Sequence, residues 1–218
     1  MQRSITFEPG EFYHIYNRGI DKRKIFFSAG DWTHFQRLMW VRNIENVHVR
    51  ADRLKSFDEK LNASKSTYVD ICAYALMDNH FHFLLKEKKE GGISKFMGKL
   101  LTSYSMYMNK KYDRSGPLMC RSFRAKHIDT DEYLRWVLTY IHLNPVGKLE
   151  SDFEKAGIKH EKEAIKFLYE YKFTSYADYC IEERDASMIL NQSVLPIETD
   201  LMCDMEYLFT TLKNNLMS

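Results

Sequence analysis

The sequence predicts an α+β fold: a ferredoxin-like antiparallel sheet with helices packed on one face, followed by a C-terminal, mostly helical extension. Three observations carry this expectation. Up to residue 145 the segments read strand, helix, strand, strand, helix, strand, helix. The strand segments are short, apolar or alternating, and bounded by turn residues. The helical segments repeat apolar side chains at i, i+3, i+4 and i+7.

Taken in order, residues 11–19 (Glu-Phe-Tyr-His-Ile-Tyr-Asn-Arg-Gly) alternate imperfectly and turn at Gly19. Asp31 is placed to cap a helix over 32–44, where Trp32, Phe35, Leu38 and Met39 recur at helical spacing. Residues 45–67 are rich in Lys, Asp and Ser and lack a persistent apolar face, so they read as a surface insertion. Tyr68 to Leu76 forms the second strand, with Val69, Ile71, Ala73 and Ala75 on one face. Asp78-Asn79 supplies turn chemistry into the third strand, His80-Phe81-His82-Phe83-Leu84-Leu85.

Gly91-Gly92 breaks the pattern before an amphipathic helix carrying Ile93, Phe96, Met97, Leu100, Leu101, Tyr104 and Met108. Ser122 to Asp129 reads as the fourth strand. Asp129 with Glu132 three residues later is a variant capping box for a helix bearing Tyr133, Leu134, Val137, Leu138 and Ile141, which Pro145 stops. Beyond it, Ala164–Tyr171 and Leu201–Leu216 have helical spacing, and Thr174–Tyr179 looks like an exposed aromatic turn.

The chain has 218 residues, enough for a sizeable core. No apolar run approaches the roughly 18 residues of a membrane span, and the first residues lack an apolar signal core. This favours a cytoplasmic protein without membrane partners. Cys72, Cys120, Cys180 and Cys203 show no metal or redox spacing and read as reduced thiols. The net charge of +2 hides a segregation: residues 86–126 hold eleven Lys/Arg against three acids, while residues 178–206 hold eight acids and one arginine. The basic segment, interleaved with Tyr104, Tyr107, Tyr112 and Phe123, suits a nucleic-acid surface or a solvated helix face.

Two stretches carry chemistry. His80 and His82 flank one apolar residue on a strand, so both imidazoles project from one face while Phe81 and Phe83 enter a core. Such a pair can grip one metal ion, or can simply be two histidines on a half-exposed strand. Tyr140 and Asn144 are four residues apart and share a helix face, separate from Leu138 and Ile141. A tyrosine beside a carboxamide can present its hydroxyl as a nucleophile. The residue before a proline is disfavoured in the α region, which puts Asn144 at the helix end.

Four segments together are specific: Phe12-Tyr-His-Ile-Tyr-Asn-Arg-Gly19, Ala75-Leu-Met-Asp-Asn-His-Phe-His-Phe-Leu-Leu85, Gly116-Pro-Leu-Met-Cys-Arg-Ser-Phe123 and Tyr140-Ile-His-Leu-Asn-Pro-Val146. In their order and spacing the chain resembles the REP-associated tyrosine transposases, a branch of the single-tyrosine HUH transposases. The resemblance spans about residues 8–149, with a weaker echo at Thr174–Tyr179. It implies a catalytic domain over 1–149, carrying the 45–67 insertion, and an acidic extension over 150–218.

The activity implied is metal-dependent cleavage and rejoining of single-stranded DNA through a 5′-phosphotyrosine, with hairpin or repeat DNA as the recognised partner. His80 and His82 match the metal ligands, Asn144 the third ligand and Tyr140 the nucleophile, with Mg²⁺ or Mn²⁺ as the ion. Asn17, Arg18, Arg121, Arg124 and Lys126 are candidate DNA contacts, supplemented by Lys95, Lys99, Lys110 and Lys111. Monomer and homodimer are both compatible with the family, as is use of Tyr140 in cis or in trans. The alternative is a domesticated hairpin-DNA-binding protein without transposition activity.

Departures from the family pattern are Asp78 in place of a proline, the long 45–67 insertion, and Gly147-Lys148-Leu149 where Arg-Ala-Gly is common. Tyr104 belongs to the apolar stripe. Tyr107 and Tyr112 suit base stacking or the surface, and His142 is a base only if it turns toward Tyr140.

Overall fold

A computed structural model describes residues 5–46, 57, 66–120, 122–180 and 184–216. Arg121 and most of the 45–67 insertion lie outside these residues. Four strands, β1 (Phe12–Arg18), β2 (Val69–Leu76), β3 (His80–Glu87) and β4 (Arg124–Ile128), form one antiparallel sheet in the order β2-β3-β1-β4. The long helices are α1 (Ala29–Asn43), α2 (Gly92–Lys111) and α3 (Asp131–Leu143). After them come α4 (Phe153–Ala156), α5 (Glu161–Glu170), α6 (Tyr176–Cys180) and α7 (Met205–Leu216).

The alternation of side chains divides the sheet into two cores. Tyr13, Ile15, Phe81, Phe83 and Leu85 meet Phe35 and Leu38 of α1 and Phe96, Leu100 and Tyr104 of α2. Expectation and structure agree for these two helices, which share one face. Helix α3 covers the opposite face, where Leu134, Val137, Leu138 and Ile141 pack on Ala73, Ala75 and Leu84. The two alanines let the helix approach the sheet closely. They reach that face because the register shifts between Ile71 and Ala73. The extra residue flips the alternation, so Val69 and Ile71 face one core and Ala73 and Ala75 the other, correcting the single face expected for all four.

Helix α1 begins earlier than the sequence suggests. Ser28 is its N-cap, and the buried Asp31 carboxylate accepts the Phe27 and Ser28 backbone N–H groups at 2.9 Å each. At α3 the cap is Thr130, whose Oγ1 accepts the Tyr133 N–H at 3.1 Å, and not Asp129. The buried Glu87 carboxylate accepts the Gly92 and Ile93 N–H groups at the start of α2. Any Cβ on Gly92 would lie 2.3 Å from the Tyr68 carbonyl oxygen, so that junction requires glycine.

The segment expected to be an exposed aromatic turn is the anchor of the C-terminal extension. Thr174, Ser175 and Tyr176 are fully buried. Leu76 N–H donates to the Phe173 carbonyl, Ser175 N–H donates to the Tyr74 carbonyl, and the Tyr171 and Tyr179 hydroxyls donate to the carbonyls of Leu76 and Cys72. The otherwise open edge of β2 is thereby satisfied. Sequence reading missed this because an aromatic hydroxyl suits an edge strand as well as solvent. Cys180 and Cys203 are joined in a disulfide, so two of the four expected thiols are paired; Cys72 is buried and Cys120 exposed. Spacing along the chain could not report an approach made by tertiary packing. Among the described residues, no helix is long and apolar enough to cross a membrane.

Candidate active site

The register of the sheet brings the site residues onto one face. Directly opposed residues of antiparallel strands point the same way. Arg18 is opposite His80, Tyr16 lies between His82 and Arg124, and His14 lies between Leu84 and Lys126. His80, His82, Arg18, Arg124 and Lys126 therefore share the face over which α3 lies, and the last turn of α3 sets Tyr140 and Asn144 above the histidines. The Tyr140 ring centroid is 5.2 Å from that of His82, and Asn144 Oδ1 is 3.3 Å from His80 Nε2. One chain supplies all four groups.

Asn144 meets its expected position by an unexpected backbone. It retains α-region angles (φ −52°, ψ −37°) despite preceding Pro145. The chain runs directly into a 3-10 turn over Asn144–Lys148, where the proline takes a first-turn position that needs no N–H. The Asn144 side chain is buried and aimed at His80.

Each histidine has a partner on the nitrogen away from the site. His80 Nδ1–H donates to Asn79 Oδ1 at 2.7 Å, leaving Nε2 with a lone pair that faces the Asn144 carbonyl oxygen. With the proton on Nδ1, two acceptors face each other at 3.3 Å, an arrangement that a cation would satisfy. His82 Nδ1 lies 2.9 Å from His14 Nε2; when His82 donates, its own Nε2 keeps a lone pair. Burial lowers the pKa of both His80 and His82, so both imidazoles are neutral near pH 7, as ligands must be. Two imidazoles and a carboxamide therefore fit a divalent cation. Among the described residues no cluster of three or more His, Cys, Asp or Glu provides an alternative.

His14 is a site residue that sequence reading missed. Burial, followed by the nearby Lys126 charge, lowers its pKa to about 4. The available signal was its place on β1 two residues before Tyr16, on the face that also carries Arg18. The cleft at Tyr140, about 280 Å³, is lined by His14, Tyr16, His82, Lys126, Trp136 and Tyr140. A larger cavity of about 840 Å³, between α4, α5 and α7, gathers no comparable set of ligating groups.

Tyr140 is partly buried, and its hydroxyl donates to Glu154 Oε1 at 2.9 Å. Burial raises the Tyr140 pKa, the Glu154 carboxylate raises it further, and Asn144 acts in the opposite sense. His142 points elsewhere: it is fully buried, with Nε2 3.1 Å from Ser175 Oγ and its ring against Tyr179. It cannot serve Tyr140.

Arg18, Arg124 and Lys126 are exposed on the histidine face. Asn17 is buried on the other side of β1, with Nδ2 donating to the Cys120 carbonyl and Oδ1 accepting the Arg18 N–H. It fixes the chain beside Arg18 instead of facing solvent. Helix α2 lies across the sheet from the histidines, which removes its lysines from the site. Lys99 donates to the Tyr68 hydroxyl, and Lys111 pairs with Asp31. Tyr107 and Tyr112 also donate to Asp31, at 3.0 and 2.6 Å, and Tyr104 donates to the Ile25 carbonyl at 2.6 Å.

Two of the departures noted in the sequence meet each other. Asp78, in the turn before His80, forms an ion pair with Lys148, in the turn after Asn144. Lys24 lies 3.7 Å from the same carboxylate.

Comparison with known proteins gives a family and a similar fold. A family model described as "Transposase IS200 like" matches residues 32–144, just over half of the chain. No curated protein sequence matches. One solved structure, described as a REP-associated tyrosine transposase bound to a REP hairpin, is similar with a TM-score of 0.54 at 11% identity, covering 82% of this chain and 84% of the other.

Proposed function

The chain belongs to the IS200-like transposase family, and from that premise we propose that it cleaves and rejoins single-stranded DNA with Tyr140 as nucleophile. The observation that carries the proposal is the convergence of His80, His82, Asn144 and Tyr140 within one chain, on a face rimmed by Arg18, Arg124 and Lys126. His80, His82 and Asn144 would hold Mg²⁺ or Mn²⁺, which when bound would polarise the scissile phosphate.

Tyr140 Oη attacks the phosphorus, a 5′-phosphotyrosine forms, and the strand leaves with a free 3′-hydroxyl. The tyrosyl ester conserves the phosphodiester energy, so attack by another 3′-hydroxyl joins strands without a nucleotide cofactor. His14 and Asn79 hold the two ligand imidazoles in orientation. Arg18, Arg124 and Lys126 bind the DNA backbone around the cleavage point. Arg121, in the same segment as Arg124, is assigned to the same task. Asn17 acts by fixing the end of β1. The reading that hairpin DNA is the recognised element is supported by the structural relative, which is bound to a REP hairpin. The placement of all four groups by one chain supports the reading that Tyr140 serves its own histidines, and on that reading a monomer suffices.

The test is incubation of the protein with labelled single-stranded oligonucleotides carrying hairpins, in Mn²⁺, followed by denaturing electrophoresis. Wild type gives a covalent protein–DNA band and a shortened strand; chelation of the metal or Tyr140→Phe removes both. Undiminished cutting by Tyr140→Phe would show that another group is the nucleophile. Binding of hairpins without any covalent band would identify a domesticated DNA-binding protein instead.

A further inference from the structure

A phenol is a poor nucleophile until its proton leaves. The groups around Tyr140 Oη limit where the proton can go. In the proposed site the lone pairs on Nε2 of His80 and His82 are committed to the cation, and His14, when it accepts from His82 through Nε2, carries its proton on the other ring nitrogen. His142 faces Ser175. Among the described residues, the carboxylate that already accepts the Tyr140 hydroxyl is Glu154, through Oε1 at 2.9 Å.

Glu154 lies beyond both the segment matched by the family model and the four motif segments. Its place is fixed by its neighbour. Phe153 is buried against Gly147, where a Cβ would sit 3.3 Å from the phenyl ring. The 3-10 turn after Asn144 thus carries α4 back to the nucleophile, and Glu154 itself is exposed, so it can exchange protons with solvent.

We propose that Glu154 is a catalytic residue of this chain, the general base that takes the Tyr140 proton during cleavage. The inference rests on the reading of Tyr140 as nucleophile. In the cleavage step the Oη–H bond breaks and its proton passes to Glu154 Oε1. The Oη–P bond forms as the P–O3′ bond breaks, and the departing 3′-oxygen takes a proton from water. Glu154 then loses its proton to solvent. In the joining step Glu154 first takes a proton back from solvent and passes it to the tyrosine oxygen as the Oη–P bond breaks, while the incoming 3′-hydroxyl forms the new P–O3′ bond and releases its proton to solvent. Charge and protons balance in both directions, and no further reactant is needed.

The test uses full-length protein and an oligonucleotide that wild type cuts in Mn²⁺, with single-turnover rates at saturating DNA. Glu154→Gln keeps the shape and an acceptor oxygen but removes the basicity. The rate is expected to fall by roughly 10²- to 10⁴-fold, with hairpin affinity and thermal midpoint unchanged. Glu154→Asp should retain part of the rate.

The deciding arm places 3-fluorotyrosine at position 140, whose phenol ionises more readily. It should restore at least about tenfold of the rate lost in Glu154→Gln while changing wild type little. Cutting by Glu154→Gln within about threefold of wild type overturns the proposal. So does a slow Glu154→Gln that fluorotyrosine does not rescue, since a purely positional defect is indifferent to phenol acidity. Failure of wild type to cut, or cutting by Tyr140→Phe, instead removes the nucleophile reading itself, so the two failures are distinguishable.

Discussion

Asp31→Asn should destabilise the protein without touching its chemistry. The Asp31 carboxylate is fully buried and accepts five donors: the Phe27 and Ser28 N–H groups at 2.9 Å, the Lys111 ammonium at 2.6 Å, and the Tyr112 and Tyr107 hydroxyls at 2.6 and 3.0 Å. Burial alone would raise its pKa. These donors, Lys111 foremost, outweigh burial and bring it from 3.8 to about 2. Lys111 is pushed up by the same contact, but its side chain is 36% exposed against 0% for Asp31, so the buried partner is the better gauge.

A depression of nearly two pH units corresponds to about 2 kcal/mol of stability from the charge. Because the folded pKa is the lower one, that stability is complete above about pH 4 and is lost as pH falls toward 2. Asparagine would also aim an NH₂ group at donors, adding about 1 kcal/mol. The total, about 3 kcal/mol, is a fall in Tm of roughly 6–12 °C for a chain of this length. Thermal and urea unfolding at pH 7 measure it, and single-turnover DNA cleavage per folded molecule should be unchanged. A Tm within about 1 °C of wild type would refute the network as a stabilising element. A selective loss of cleavage would return Tyr107, Tyr112 and Lys111 to the DNA surface.

Two further outcomes are expected. Burial lowers the His142 pKa to about 3, so the folded state resists a proton that the unfolded chain accepts below about pH 6.5; wild type should lose about 1.4 kcal/mol per pH unit there from this group, and His142→Gln should show a correspondingly flatter urea-midpoint profile between pH 6.5 and 5, an equal slope arguing against the assignment. Lys148→Ala removes a partly exposed pair with Asp78 and should cost no more than about 1 kcal/mol in urea unfolding, yet slow cleavage several-fold because the pair ties the turn before His80 to the turn after Asn144; the reversed pair, Asp78→Lys with Lys148→Asp, should recover much of that rate, and no recovery would mean the pair does not align the site.

The legible parts of this protein were those written in short-range pattern. Apolar spacing from Ile93 to Met108 corresponds to α2 (Gly92–Lys111), and the alternation at His80-Phe81-His82-Phe83 puts the two histidines on one face of β3. Features made by distant contact were not legible. The bulge between Ile71 and Ala73 leaves no mark in composition, although it decides which core the alanines serve. Thr174–Tyr179 looked solvent-facing because hydroxyls satisfied by edge-strand carbonyls leave the same residue types in the sequence as hydroxyls satisfied by water.

At the site, local order places a histidine pair on a strand and a tyrosine–asparagine pair on a helix, because periods of 2 and 3.6 residues set those faces directly. Only the tertiary structure decides that the pairs meet, since that depends on α3 packing against Ala73, Ala75 and Leu84. The same packing adds His14 from β1 and Glu154 from α4, residues 126 and 14 positions from Tyr140 in the sequence but near its side chain in space. Their roles arise from sheet register and from the return of the chain after Asn144, neither of which is encoded within any one stretch of residues.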